Sequence, residues 1–144
     1  MRDIEFRGYV ADEEQFVYGY LMPDNRIYQT YEPKKGCCGI GIFSVVPESI
    51  GQYIGCRDVN GIKIFENDIV KEVYGSRYYQ VIYDKHGFML DPVFVDTHFY
   101  QTWINPKRLE VVGNSYTKGE GKDEREKTDN VFKRICRYIC NVLR

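Results

Sequence analysis

From residue 4 to residue 117 the chain is a succession of short apolar runs, and turn-forming residues interrupt it about every eight to twelve positions. The run at 15–22, QFVYGYLM, is rich in aromatic and branched side chains, which favour a pleated, half-buried backbone. Pro23-Asp24-Asn25 follows and supplies the residues that turns prefer. No convincing helix falls within this span. The pattern predicts a mainly β domain, built as a small barrel or a sandwich.

The strands are predicted from these runs and from the turns between them. In the first strand, Ile4, Phe6 and Gly8 alternate with polar or amphipathic neighbours, which predicts one buried face. Asn60-Gly61 predicts a hairpin with a type I′ turn, in which both central residues have positive φ. Asp91-Pro92 is expected to break a strand, and residues 32–41 are expected to form a loop. The predicted strands are 4–9, 15–22, 26–31, 42–46, 52–55, 62–65, 69–74, 78–83, 88–90, 93–95 and 109–112.

The composition changes abruptly after residue 117. Residues 118–127, KGEGKDEREK, contain no apolar side chain and are expected to form a solvated linker. Thr128 or Asp129 can cap a helix that follows. We therefore predict a β domain at 1–117, a polar linker at 118–128 and an amphipathic α-helix at 129–144. The apolar face of this helix would contain Val131, Phe132, Ile135, Cys136, Ile139, Val142 and Leu143.

Charge and composition narrow the classes of function. The formal net charge is −1, so no global attraction to nucleic acid or to an anionic membrane is expected. No apolar run approaches the roughly 20 residues of a membrane-spanning helix, and the first residues lack the apolar core of a secretory signal. The five cysteines do not suit a disulfide framework. We expect a cytoplasmic protein with free thiols.

Three segments resemble the YopX family. Residues 52–70, QYIGCRDVNGIKIFENDIV, are similar to the family signature, while MRDIEFRGY at the start and LEVVGNSY at 109–116 resemble its opening and its ending. The resemblance covers residues 1–117. It implies a β-rich fold with a partly open SH3-like barrel, encoded by phages and prophages, and it carries no agreed activity. Asn67 stands where the family usually has glycine, at a position where we expect positive φ.

The signature has a structural interpretation. Asn60-Gly61 makes a turn, Ile64 and Ile69 fill the core, and Asp68 can accept bonds from backbone amides in the bend before Ile69. These residues are expected to specify the fold. No catalytic residue is carried over from the family.

The sequence offers few residues or motifs that could bind a metal or carry out catalysis. A metal site needs several converging ligands, and the two histidines, His86 and His98, have only a few carboxylates near them, so surface histidines are the favoured interpretation. Gly36, Gly39 and Gly41 lack the Lys-Ser/Thr of a phosphate-binding loop. No nucleophile motif is present, and an enzyme, a cofactor and a metal are therefore not predicted. The remaining candidate ligands are Asp84, Asp91, Asp96, Cys37, Cys38, Cys56, Cys136 and Cys140.

The favoured hypothesis is an interaction module that binds a protein partner or self-associates, through the β domain or the tail helix. A helix of about fifteen residues is marginal alone in water, so its apolar stripe must pack on something, its own domain included. Lys133, Arg134 and Arg137 are the candidate partner-binding residues, and peripheral membrane contact by this tail is possible.

The alternative hypothesis is a nucleic-acid-binding small β-barrel, with Tyr78, Tyr79 and Tyr83 available for stacking. Charge opposes it. Residues 118–144 contain eight basic and five acidic side chains, which leaves residues 1–117 with a formal charge of −4.

Overall fold

The structure, a computed structural model, describes residues 3–30, 40–93 and 103–116, which fall into two units divided after Gly55. Within these residues the regular structure is β-strand apart from two short 3-10 turns, so the prediction of a mainly β fold is confirmed. Two antiparallel sheets form, and neither is closed. The strands are β1 Phe6–Val10, β2 Gln15–Met22, β3 Arg26–Thr30, β4 Ile40–Ser44, β5 Gly51–Arg57, β6 Lys63–Phe65, β7 Asp68–Glu72, β8 Tyr78–Asp84, β9 Gly87–Pro92 and β10 Leu109–Asn114.

In the first unit, β1 lies between β2 and β5, and β3 and β4 extend the sheet from β2, in the order β4-β3-β2-β1-β5. The β2–β3 connection uses the predicted turn, in which Asp24 and Asn25 both adopt positive φ, 63° and 55°. Asp and Asn tolerate this region better than most residues other than glycine. Because that turn is short, Tyr20 on β2 is placed directly opposite Tyr28 on β3.

One face of this sheet forms the core of the first unit. Gly8 on β1 lies against Val45, and an added Cβ would come within 2.6 Å of Val45 Cγ2, so the close approach requires glycine. The chain after β4 turns through Pro47–Ser49, where the Ser49 hydroxyl accepts a bond from Tyr9 N–H at 2.7 Å. The cluster contains Val10, Val17, Ile27 and Val45, with Phe6, Phe43 and Ile50 packed against it.

The expected alternation in β1 is only partly observed. Ile4, expected on the buried face, is exposed, whereas Arg7, expected on the opposite face, is only 6% exposed. The Arg7 guanidinium carbon lies 4.9 Å from the centre of the Phe16 ring, and Phe16 in turn meets Tyr9 edge-on at 5.4 Å. A flat guanidinium can stack on an aromatic face, which lets a charged residue occupy a buried position.

In the second unit the sheet has the order β10-β7-β8-β9, and β6 forms a hairpin with the end of β5. Consecutive residues of β7, Ile69 and Val70, are both fully buried, and Met89 and Leu90 of β9 are both buried. Successive side chains of a strand point to opposite faces, so both faces of these strands are buried. A register shift between Val111 and Gly113 marks a bulge in β10.

Two predicted boundaries in this unit are wrong. Asp91-Pro92 does not interrupt the strand, because β9 continues to Pro92, which lies opposite Tyr79. β9 is an edge strand of the sheet, where proline is tolerated since the missing N–H faces away from a neighbour. Tyr74, expected in a strand, lies in the turn after β7.

Several predictions fall outside the described residues. They concern residues 32–39 of the loop expected at 32–41, the polar linker at 118–128 and the amphipathic helix at 129–144. The last two residues of that expected loop, 40 and 41, instead begin strand β4. In the part of the chain that the structure describes, no helix has the length and apolarity needed to cross a membrane.

Candidate interaction surface

In the signature region, the buried carboxylate of Asp58 accepts hydrogen bonds from three backbone N–H groups. Asp58 Oδ1 accepts bonds from the N–H groups of Asn60 and Ile62, both at 2.9 Å. Its Oδ2 accepts a third bond, also 2.9 Å, from Val111 N–H on β10. A buried carboxylate with three backbone donors stabilises the turn and joins it to the last strand, so its role is structural.

The turn itself differs in type from the prediction. Gly61 N–H donates to the Asp58 carbonyl at 3.1 Å, and Asp58 N–H donates to the Ile62 carbonyl at 2.8 Å. Gly61 has φ 78°, whereas Asn60 is not among the residues with positive φ. The hairpin therefore has a three-residue loop in which Gly61 occupies the left-handed position, in place of the predicted type I′ turn. The bond from Asn60 N–H to the Asp58 side chain favours this geometry.

The rest of the signature behaves as expected. Asp68 Oδ2 accepts a bond from Phe65 N–H at 2.8 Å, which braces the bend before Ile69. Asn67 has φ 71°, so this position adopts the positive φ that the sequence led us to expect. Ile64 and Ile69 are both fully buried. Ile64 and Ile69 thus fill the core and Asp68 bonds the bend, as expected, and their role in specifying the fold stays a prediction.

The candidate metal ligands do not converge within the described residues, where no group of three His, Cys, Asp or Glu side chains could hold an ion. His86 is exposed in a turn, and its backbone N–H donates to Asp84 Oδ1 at 2.7 Å. Burial raises the pKa of the half-buried Cys56 thiol, which lowers its thiolate fraction and its reactivity. His98, Asp96 and the other four cysteines lie outside the described residues.

The three tyrosines proposed for stacking do not form one surface. The Tyr79 ring is buried, and its hydroxyl donates to Glu72 Oε1 at 3.2 Å. Tyr83 is exposed and meets Phe88 edge-on at 5.0 Å. Tyr78 is half-buried, and its position in β8 differs from that of Tyr83 by an odd number of residues, which places the two rings on opposite faces. The candidate partner-binding residues Lys133, Arg134 and Arg137 lie outside the described residues.

A different aromatic surface lies on the sheet of the first unit. Tyr20 on β2, Tyr28 on β3 and Ile42 on β4 are successive register partners, so they form one row across three strands. Tyr20 is 62% exposed and Ile42 53% exposed, while Tyr28 is half-buried. We call these three residues the aromatic row. Neighbouring side chains in such a row are roughly 5 Å apart and present a continuous apolar strip to solvent.

The aromatic row was not predicted from the sequence. The short turn at 23–25 is a signal that places Tyr20 near Tyr28, and it could have been used. Ile42 could not be added without knowing that β4 pairs with β3, because the intervening residues give no register.

A second exposed aromatic group lies in the second unit. Tyr74, in the turn after β7, is 84% exposed, and Trp103 is 75% exposed. Val73 N–H donates to the Arg108 carbonyl at 2.9 Å, which places this turn beside the 3-10 turn Pro106–Arg108. Lys107 and Arg108 are both exposed there.

The family described as YopX protein matches residues 5–120. Among solved structures, the chain is similar to the crystal structure of protein EF1440 from Enterococcus faecalis, with 23% identity, 79% of this chain and 94% of that chain covered, and a TM-score of 0.46. Comparison with curated proteins gives no match. Since the family match spans most of the chain, including the signature at 52–70, this protein belongs to the YopX family.

Proposed function

We propose that this protein is a non-catalytic, phage- or prophage-derived interaction module that acts in the cytoplasm and binds a protein through the aromatic row. The partly open SH3-like barrel and the helix at 129–144 are parts of the same proposal. The observation that carries it is the exposure of Tyr20 and Ile42 in one continuous strip with Tyr28.

The shape of this surface favours a protein over a small molecule. Small ligands bind in concave pockets, whereas the aromatic row crosses the face of a sheet. Protein interfaces are enriched in tyrosine at their centre and have a polar rim. Arg26 and Asp24, whose side chains approach to 3.8 Å in the β2–β3 turn region, supply polar groups close to one end of β3.

The test uses the full-length chain with Tyr20→Ser and Ile42→Ser combined. Tyr74→Ser is the control, because it removes an even more exposed tyrosine side chain from the second unit. Proteins bound to the chain in host cells are quantified by mass spectrometry, and the mass of the purified chain is measured by sedimentation. We expect association, with a host protein or with a second copy, to fall at least tenfold in the double variant and to persist in the control. Association that is equal in all three chains contradicts the proposal.

A second candidate function is binding of single-stranded nucleic acid. The observation that favours it is the group in the second unit, where Tyr74 and Trp103 are available for stacking and Lys107 and Arg108 for phosphate contacts. The charge of −4 on residues 1–117 opposes binding elsewhere on the β domain.

Fluorescence anisotropy with short oligonucleotides at low salt tests this candidate. Tyr74→Ala and Lys107→Ala should each weaken binding several-fold, and the Tyr20→Ser chain should bind like the wild type. A separate arm replaces Lys133, Arg134 and Arg137 with alanine, which measures the contribution of the tail. The absence of any signal at micromolar protein eliminates this function.

A further inference from the structure

The edges of the two sheets are protected to different degrees. An exposed edge strand presents unpaired backbone groups, and proteins blunt such edges with charge, proline or a bulge. The edge strand β9 carries Asp91 and Pro92, and the edge strand β10 carries Glu110 and a bulge. The edge strand β4, with the sequence IGIFS, contains no charge and no proline, and its pairing with β3 shows no register shift. The edge strand β6 is only three residues long and begins with Lys63. Among these described edges, β4 is therefore the one without protection.

The register of β3 and β4 shows which backbone groups point to the open edge. Val45 N–H donates to the Asn25 carbonyl at 3.0 Å, immediately beyond the pair Arg26–Ser44. Hydrogen-bonded and non-hydrogen-bonded pairs alternate along an antiparallel ladder. Positions 41, 43 and 45 therefore bond to β3, while the N–H and C=O groups of 40, 42 and 44 point away from it.

We propose that two copies of this chain pair antiparallel through β4, with the two-fold axis passing at Ile42. This inference rests on the proposed function and identifies the protein partner as a second copy of the chain. In this register 42 pairs with 42 of the second copy, and 40 with 44 on either side, which forms about six backbone hydrogen bonds. A shift of the register by two residues removes one of the three pairs. A shift by one residue places these outward-pointing groups opposite residues whose own backbone groups point toward β3, so no bonds form.

The same pairing extends the aromatic row. Ile42 of each copy lies opposite Ile42 of the other, so the strip runs through Tyr20, Tyr28 and Ile42 and then through the same residues in reverse order. No charged side chain of β4 meets another across the axis, because the strand contains none. The exposed apolar face and the open edge are thus explained by one symmetric contact.

The test is oxidative crosslinking of the full-length chain at two positions. In Ile42→Cys the two sulfurs meet at the axis, where the Cα atoms of a hydrogen-bonded pair are about 5.5 Å apart. In Ser44→Cys, four residues of strand at about 3.4 Å each separate the two Cα atoms by roughly 14 Å, beyond the reach of about 7 Å for a disulfide. Peptide mapping by mass spectrometry identifies which positions are joined and separates them from the native cysteines.

We expect the disulfide between two positions 42 to form at least tenfold faster than that between two positions 44, and the wild-type chain to sediment as a dimer. Equal rates at the two positions overturn the register. A wild-type chain that is monomeric over about a hundredfold range of concentration overturns the pairing. If that monomer still binds a host protein in a manner that Tyr20→Ser with Ile42→Ser abolishes, the proposed function stands and this inference fails. If a dimer forms but neither variant crosslinks, the edge contact is wrong.

Discussion

The two sheets place tyrosine in opposite environments. In the second unit the Tyr79 ring is buried in β8 and its hydroxyl reaches Glu72, whereas in the first unit Tyr20 is mostly exposed on β2. Consecutive residues of β7 are buried on both faces, while the first sheet buries one face and exposes the aromatic row on the other. The same side chain therefore contributes stability in one region and contact area for a partner in the other.

Composition alone therefore does not reveal a binding surface in this protein. The chain has 13 tyrosines, and their abundance is what a Tyr-rich sheet requires. What distinguishes the aromatic row is that its members are in register beside the unprotected edge strand β4. Substitutions in the two regions can measure how different they are.

The largest effect is expected from Asp58→Ala in the second unit. The substitution leaves three backbone N–H groups, those of Asn60, Ile62 and Val111, without their acceptor. Each such loss costs about 1–3 kcal/mol when the donor is shielded from water, so we expect destabilisation of roughly 3–5 kcal/mol by urea denaturation. Asp84→Ala is the control, since Asp84 accepts one exposed backbone bond, and a loss of about 1 kcal/mol or less is expected. Similar losses for both variants would show that Asp58 is not a structural link.

The next largest difference in stability is expected between substitutions of a buried tyrosine, Tyr79, and an exposed one, Tyr20. Tyr79→Ala removes a buried ring and should destabilise the protein by about 3 kcal/mol. Tyr20→Ala, measured in dilute solution, should change the unfolding free energy by less than about 0.5 kcal/mol. Thermal and urea unfolding of both variants test this. A large loss of unfolding free energy for Tyr20→Ala would contradict this prediction, because it would mean that the aromatic row belongs to the core.

Substitutions of two glycines distinguish the cost of overpacking from the cost of an unfavourable backbone conformation. Gly8→Ala in the first unit brings a Cβ within 2.6–2.8 Å of three Val45 side-chain carbons, and we expect a loss of about 2 kcal/mol from overpacking. Gly61→Ala in the second unit meets no atom within 4 Å, but its φ of 78° is unfavourable for alanine, and about 1 kcal/mol is expected. If Gly61→Ala proves the more costly, the hairpin geometry constrains the fold more than the core of the first unit does.

The smallest effect is a pH dependence at the protected edge strand β9. Partial burial raises the pKa of the Asp91 carboxyl above its ordinary value. The folded state therefore holds this proton more tightly than the unfolded state, and stability falls as the pH rises from the ordinary value of 3.8 through the raised pKa. Asp91→Asn should be slightly more stable than the wild type at neutral pH, and the difference should vanish below pH 3.8. A difference that grows in acid would contradict the sign of this shift.

Much of the fold follows from the sequence because its runs and turns are local signals. Strand β2 was predicted with both boundaries correct, and β8 and β10 differ from their predicted spans only at the end. The buried Arg7 was not predicted, since its burial depends on the Phe16 ring across the strand pair. The turn type at Asn60-Gly61 was wrong because a neighbouring side chain, that of Asp58, selects the loop.

The candidate surface was harder to predict than the fold. Stacking was assigned to Tyr79 because tyrosines are frequent in that run, but alternation places its side chain in the interior. The aromatic row depends on the pairing of β4 with β3, a relationship that no local pattern encodes.

The bond between Asp58 and Val111 spans 53 positions of the chain and has a consequence for biosynthesis. While the ribosome is still producing the segment between them, the Asp58 carboxylate lacks the donor that β10 supplies. Productive closure of the second unit must wait until β10 leaves the exit tunnel, because the entropy cost of closing a long loop comes before the contacts that offset it. A nascent chain of this protein thus completes its fold late, and a premature stop before Val111 yields a fragment that cannot finish.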